Sequence, residues 1–185
     1  VVAEAPAAPV PPGVPGFAVG AAAETLVGAS PLALFGFGLY ARAELDRASP
    51  WSPALVAWVT HDVRNGLVEV YGNASFTLDA LALDACFLRL RLGPVEGRGC
   101  GAGLIGRLET VGSDTYSPST RTRPYAVLGG SLLVAWDVAH FLEISGRFGA
   151  GASIIRDEFQ FSPKVFHRVD SVTLVGNLAV GVRFP

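Results

Sequence analysis

The stretch Val172–Phe184, VTLVGNLAVGVRF, decides the fold. Val172, Leu174, Leu178, Val180, Val182 and Phe184 share one face of a period-two pattern, and Thr173, Asn177 and Arg183 share the other. That is the pattern of a half-buried β-strand. An open edge this apolar would template aggregation, so the strand is expected to close against another, the first strand of the chain being the economical partner. Closure of first on last makes a barrel.

Composition says which kind. Of the 185 residues, 50% are hydrophobic and 16% are charged, against about 25% charged in ordinary soluble domains. A wholly water-exposed exterior is hard to reconcile with that deficit. The net charge is −2 and the basic residues are dispersed, which excludes the basic footprint of a nucleic-acid partner. Lys164 is the only lysine, and methionine is absent even at position 1, so a processed or truncated product is expected, with any signal peptide already removed. The uncharged stretch Thr25 to Ala41 is interrupted by Gly28, Pro31, Gly36 and Gly38 and falls short of the ~20 residues of a spanning helix. A closed barrel is the other structure that satisfies every backbone group within a bilayer, through alternating segments of about 10 residues.

The chain divides accordingly. Residues 1–16, with Pro6, Pro9, Pro11, Pro12 and Pro15 among alanines, read as an extended periplasmic arm or linker, and 17–185 as the barrel. Eight strands are expected: about Phe17 to Val27, Leu32 to Asp46, a third that follows a Ser49-Pro50-Trp51-Ser52-Pro53 turn and runs to His61, Ala74 to Leu92, Val95 to Val111, Pro124 to Asp137, Phe141 to Ile155, and the terminal one. Asn65-Gly66 is a turn candidate. Asp84 falls on the greasy parity of its strand, which predicts a bulge near Leu81 to Ala85. The connections at Asp62 to Asn73, Gly112 to Arg123 and Arg156 to Asp170 are long and lie opposite the termini. Short periplasmic turns and long extracellular loops then put both termini in the periplasm. Trp51, Trp136, Phe141 and Phe184 suit an interfacial girdle on the terminal side.

With Gly93 at the centre of its turn, Cys86 and Cys100 stand directly opposite on adjacent strands. Cross-strand Cβ atoms lie about 4.5–5.5 Å apart, close enough for local twist to permit a disulfide, and hence an oxidising compartment is expected. The polar parity collects Glu24, Glu44, Asp46, Asp79, Glu109 and Glu143 with Arg42, Arg89, Arg91, Arg107, Arg147 and Arg183. An eight-stranded interior is just wide enough to be filled by side chains, so these charges are expected to form a mutually satisfying plug. A continuous water path through them would instead make a narrow channel for small solutes.

His61, His140 and His167 sit in or beside three different connections. His61 and His167 could meet on the loop side, with Ser162 or Asp170, as an outer-membrane lipid hydrolase would need, but no spacing selects that cluster. There is no metal-ligand spacing, phosphate-cradling glycine loop or G-x-S-x-G elbow. The expectation is therefore a non-enzymatic protein without cofactor or metal. The loops are the expected binding surface, with Tyr116, Phe159, Phe161 and Phe166 as candidate contact aromatics.

The ALALDACFLRLRLG to GRGCGAGLIGRLETVG hairpin, the RDEFQFSP segment and the terminal GVRFP resemble uncharacterised barrel domains of myxobacterial outer-membrane proteins, similar in architecture to small eight-stranded outer-membrane proteins. An aromatic near the C-terminus is also similar to the signal read by the barrel-insertion machinery, although Phe184 here is penultimate to Pro185. The resemblance implies an all-β, eight-stranded antiparallel transmembrane β-barrel in the outer membrane of a Gram-negative bacterium. It implies no activity. A structural anchor or interaction platform is the expected role, with lipid and possible protein partners at the arm and the loops. The rival is a soluble, lipocalin-like ligand carrier with its greasy face inward, since alternation alone does not tell inside from outside.

Overall fold

The computed structural model describes residues 13–46, 49–69, 72–113, 119–139, 141–161 and 164–184. In chain order the strands are β1 (Val14–Val27), β2 (Leu34–Asp46), β3 (Trp51–Glu69), β4 (Gly72–Leu92), β5 (Val95–Ser113), β6 (Ser119–Ala139), β7 (Leu142–Ser153), β8 (Glu158–Phe161), β9 (Lys164–Arg168) and β10 (Val172–Phe184). Eight of them close into one antiparallel barrel in the order β1-β10-β7-β6-β5-β4-β3-β2, and β8 and β9 form a separate two-stranded hairpin. The terminal strand pairs along its length with the first, from Phe17 opposite Phe184 to Val27 opposite Leu174. No edge is left on the barrel.

Which face is outside follows from exposure. Phe37, Leu39, Phe148 and Leu178 are 69%, 66%, 78% and 66% exposed, while Arg98 and Glu143 are 1% and 0% exposed. The greasy parity points outward and the charged parity inward, the reverse of a soluble carrier. On β4 the outward apolar residues run from Leu92 to Leu81, and on β5 the outward run from Val95 to Ile105 has four glycines between its apolar ends, with Val111 exposed beyond it. Each run is close to the 9–11 residues with which a tilted strand crosses a bilayer. Trp51, Trp136, Phe141 and Phe184 are exposed around the terminal mouth.

Several boundaries differ from the sequence reading for local reasons. β1 begins at Val14, because Val14, Pro15 and Gly16 lie opposite Asp46, Leu45 and Glu44 and extend the sheet beyond the expected start. Asn65-Gly66 does not reverse the chain. It sits in an irregularity of β3 between Arg64 and Leu67, with Gly66 at a φ of 70° that favours glycine. The Gly112 to Arg123 loop is shortened from both ends, Gly112 pairing with Ser119. Arg156 to Asp170 holds the β8–β9 hairpin.

The β4 bulge is at Phe87, not between Leu81 and Ala85. Gly93-Pro94 makes a two-residue turn, Leu92 opposite Val95, and the extra residue at Phe87 then brings Cys86 directly opposite Cys100. The two are joined as a disulfide with a Cα–Cα distance of 3.9 Å. Up to the bulge Phe76, Leu78, Ala80, Ala82, Asp84 and Cys86 face inward, and beyond it Arg89 does.

Candidate functional site

The interior is built in two halves. Toward the terminal mouth, the inward residues are charged and knit the wall together. Glu44 accepts from Arg98 at 2.7 Å and from Arg183 at 2.5 Å. Arg98 also bonds Glu96 and donates to the Ser52 carbonyl at 2.8 Å, and Arg89 donates to Glu96 at 2.8 Å. Arg42 pairs with Glu143, whose other oxygen accepts from the Tyr40 hydroxyl at 2.8 Å. At the rim, Asp137 pairs with Arg183 at 3.1 Å and with Arg91 at 3.4 Å. A vestibule of about 810 Å³ opens at this mouth and ends on Glu44 and Arg183.

Further in, Asp84 takes three donors: Arg147 Nη2 at 2.9 Å, the Trp58 indole at 2.9 Å and Ser131 at 3.1 Å. The Arg147 guanidinium lies 5.4 Å from the Trp58 ring centroid, and Tyr40 packs against that ring at 5.0 Å. Arg147 continues through Asn177, which donates to Glu24.

The loop-side half is largely apolar, although Asp62 is buried in it opposite Leu78. Leu26, Leu34, Phe76, Leu78, Leu108 and Val169 are each 0–1% exposed. Val169 comes from the segment after the β8–β9 hairpin, which is fastened by Val169 N–H to the Asp157 carbonyl at 3.0 Å and Asp170 N–H to the Gly28 carbonyl at 2.9 Å. Tyr125, Thr173 and Ser153 form a hydrogen-bonded trio beneath it. His167 packs edge-on against Phe76 and bonds the Ala29 carbonyl at 3.2 Å. Burial pushes the His167 imidazole below its ordinary pKa, against smaller opposing effects of the Ala29 carbonyl and Asp170. A depressed folded pKa makes this cap most stable above about pH 6.5, and stability falls as pH drops through that value toward the folded pKa. An NMR titration of the His167 ring in micelles is expected to show a midpoint under about 6.5; a midpoint at or above it sinks the buried-neutral reading.

Of the residues singled out from sequence, Glu24, Arg42, Glu44, Arg89, Glu143 and Arg147 line the interior, and Arg91 and Arg183 stand at its mouth. The Asp46 side chain lies outside the described residues. Asp79, Arg107 and Glu109 are corrected: they lie on the outer face, at cross-strand positions continuing to His61 and Thr77. Asp79 belongs to the part of β4 that precedes the bulge, where odd residues point outward. On β5 the charged inward pair is Glu96 and Arg98, not Arg107 and Glu109. Asp62, Asp84, Trp58, Glu96 and Arg98 are the interior residues the sequence reading missed, and the off-parity position of Asp84 was their one signal.

The histidines do not gather. His61 faces outward with its Nδ1 2.6 Å from Asp79, whereas His167 packs on inward-facing Phe76. His140 and Ser162 lie outside the described residues, as does Tyr116, and for Phe159, Phe161 and Phe166 the described part is the backbone of the hairpin. Among the described residues no hydroxyl is hydrogen-bonded to His61, and no three His, Cys, Asp or Glu side chains form a metal-binding group.

No protein-family model matches the chain, and no curated protein sequence is similar to it. Solved structures are similar in fold. A major outer membrane protein from Thermus thermophilus is 18% identical, covers 92% of this chain and 100% of its own, and superposes with a TM-score of 0.68. Ail, the attachment invasion locus protein of Yersinia pestis, is 15% identical over 93% of this chain and 99% of its own, with a TM-score of 0.55. At such identities the likeness is one of fold: a small outer-membrane β-barrel.

Proposed function

We propose that the chain is an integral protein of a bacterial outer membrane, a closed barrel that serves as a structural anchor and interaction platform. Its termini face the periplasm and its long loops face outward. The observation that carries this reading is the pairing of an apolar exterior with an interior filled at both levels. Guanidinium–carboxylate pairs hold the terminal half, and Leu26, Leu34, Phe76, Leu78, Leu108 and Val169 close the loop side. A filled lumen leaves no transport task for the wall, which is what an eight-stranded circumference predicts. The surfaces left for partners are then the arm before β1, the connection between β5 and β6, and the β8–β9 hairpin. Catalysis has no part in this reading.

Reconstitution tests it. In detergent micelles or lipid vesicles the folded barrel is expected to resist unfolding at room temperature and migrate anomalously on unheated gels. In planar bilayers it is expected to produce no stepwise conductance. Steady unitary currents would overturn the closed interior and favour the narrow channel. A protein that is monodisperse in buffer without detergent would overturn the membrane assignment itself.

A further inference from the structure

The barrel closes without an edge, but one strand outgrows it. β6 stays paired with β5 as far as Ser119, opposite Gly112, whereas its pairing with β7 stops at Val127, opposite Ser153. One more bond, from Ile154 N–H to the Ala126 carbonyl at 2.8 Å, closes that side. The chain then turns in over the lumen, where Arg156 donates to the Val169 carbonyl at 3.4 Å. Along 119–125, β6 is therefore an edge strand, with β5 on one side and no strand among the described residues on the other.

Ala126 shows which backbone groups this edge offers. Alternate residues of an antiparallel strand direct their N–H and C=O to the same side, and the β5–β6 register runs without a break. The even-numbered residues, which reach toward β7 at Ala126, therefore point away from β5 at Pro124, Thr122 and Thr120 as well. Pro124 suits that side, since its missing N–H is not needed by β5. Thr120 and Thr122 each present an N–H and a C=O, and Pro124 a C=O. An edge of this kind templates an added strand.

The side chains choose the strand. Thr120, Arg121, Thr122, Arg123 and Pro124 are all exposed. Arg121 and Arg123 share the parity of buried Tyr125, so they lie on the face that looks over the lumen, about 7 Å apart. Among the described residues neither takes part in an ion pair. The threonines lie on the other face, where Glu109 stands opposite Thr122. An added strand with a carboxylate at every second position sets its charges against both guanidinium groups and keeps them off the face of Glu109. A second copy of the chain is a poor fit. Paired two-fold about Thr122, it would set Arg121 of one copy against Arg123 of the other, and like charges directly opposite are destabilising.

We infer that the 119–125 edge of β6 takes up an extended acidic segment of another protein as an added strand, with Asp or Glu at alternate positions facing Arg121 and Arg123. This partner chemistry deepens the interaction-platform reading and rests on it. Backbone bonds to Thr120, Thr122 and Pro124 hold the segment, and the two arginines select its charge.

Fluorescence anisotropy of a labelled peptide, Thr-Glu-Thr-Glu-Thr-Glu-Thr, titrated with the full chain folded in zwitterionic micelles, tests it. Replacing every Glu of the peptide by Gln is expected to weaken binding about tenfold. Methylating every backbone nitrogen, which keeps the charge and removes the donors, is expected to cost at least about tenfold. Arg121→Gln/Arg123→Gln is expected to bind the Glu and Gln peptides equally. Thr122→Pro removes an N–H that β5 does not use, so the barrel is expected to fold, as the unheated-gel shift checks, while peptide affinity falls about tenfold. A methylated peptide that binds as well as its parent, an unchanged affinity in Thr122→Pro, or no binding of the acidic peptide would overturn the inference while the gel shift keeps the barrel intact. So would dimerisation of the parent, seen by sedimentation, that Thr122→Pro abolishes, since the edge would then belong to a second copy. A parent chain that fails to fold in micelles would instead overturn the platform reading, and this partner with it.

Discussion

Asp84→Ala is expected to destabilise the folded barrel by about 3–5 kcal/mol, the cost of leaving a buried charge without its partner. Among the described residues Asp84 is the single anion hydrogen-bonded to Arg147, and the two side chains are each 2% exposed. Removing the carboxylate strands the guanidinium between Trp58 and Asn177, with, among the described residues, the Asn177 oxygen and the ring face left to receive it. It also orphans the Trp58 indole N–H, a further buried donor. The double variant Asp84→Ala/Arg147→Met is expected to recover much of the loss, because a buried pair replaced whole by apolar groups is often near neutral. Urea titrations of refolded protein in micelles, followed by tryptophan fluorescence, measure both. A loss under about 1 kcal/mol for the single variant is an exposed-pair value, and it would show that water reaches the centre of the lumen.

The position of Asp84 also marks how far the sequence could be read. Alternation was legible wherever one parity was greasy and the other charged, as in β2, β7 and β10, and there both strand and facing were recovered. On β10 the outward residues Val172, Leu174, Leu178, Val180, Val182 and Phe184 and the inward residues Thr173, Asn177 and Arg183 fall as read. β4 fails this test for a physical reason. The lumen's loop-side half is largely apolar, so Phe76, Leu78 and Ala80 are greasy because they fill the cap, not because they meet lipid. One extra residue at Phe87 then inverts parity, and the inward set continues as Arg89. β5 carries too little information in its spanning part, where the outward positions Gly97, Gly99, Gly101 and Gly103 have no side chain to declare a face. The pairing Glu96–Arg98 could be distinguished from Arg107–Glu109 only by knowing where the apolar run on the neighbouring strands ends. The cysteine pairing was legible although the turn is centred between Gly93 and Pro94, since the bulge offsets that half-residue shift.

Gly181→Ala is expected to cost about 3–5 kcal/mol, summing the strain of overpacking and a weakened bond to a charged group. A Cβ on Gly181 would lie 2.0 Å from the Tyr40 hydroxyl and 2.9 Å from the Val19 carbonyl, and neither the sheet nor a packed ring yields that distance cheaply. The Tyr40 ring would have to turn, and the Tyr40–Glu143 hydrogen bond at 2.8 Å would go with it, leaving one Glu143 oxygen buried without that donor. Tyr40 is itself wedged between this glycine pair and Trp58, since a Cβ on neighbouring Gly20 would come within 2.5 Å of its ring. The glycines of β10 are therefore not equivalent. Gly176, facing outward on the same strand with nothing near its missing Cβ, is expected to accept alanine within about 0.5 kcal/mol. Adding Tyr40→Ala to Gly181→Ala removes the obstructing ring, so the second substitution should be less costly in the Tyr40→Ala background than in the parent. Equilibrium unfolding of the parent, the two single variants, the double variant and Gly176→Ala in one lipid system decides the matter. Additive losses would mean that Tyr40 and Gly181 do not compete for the same space, and equal losses at Gly181 and Gly176 would mean that backbone entropy, not lumen packing, sets the cost of a side chain on the closing strand.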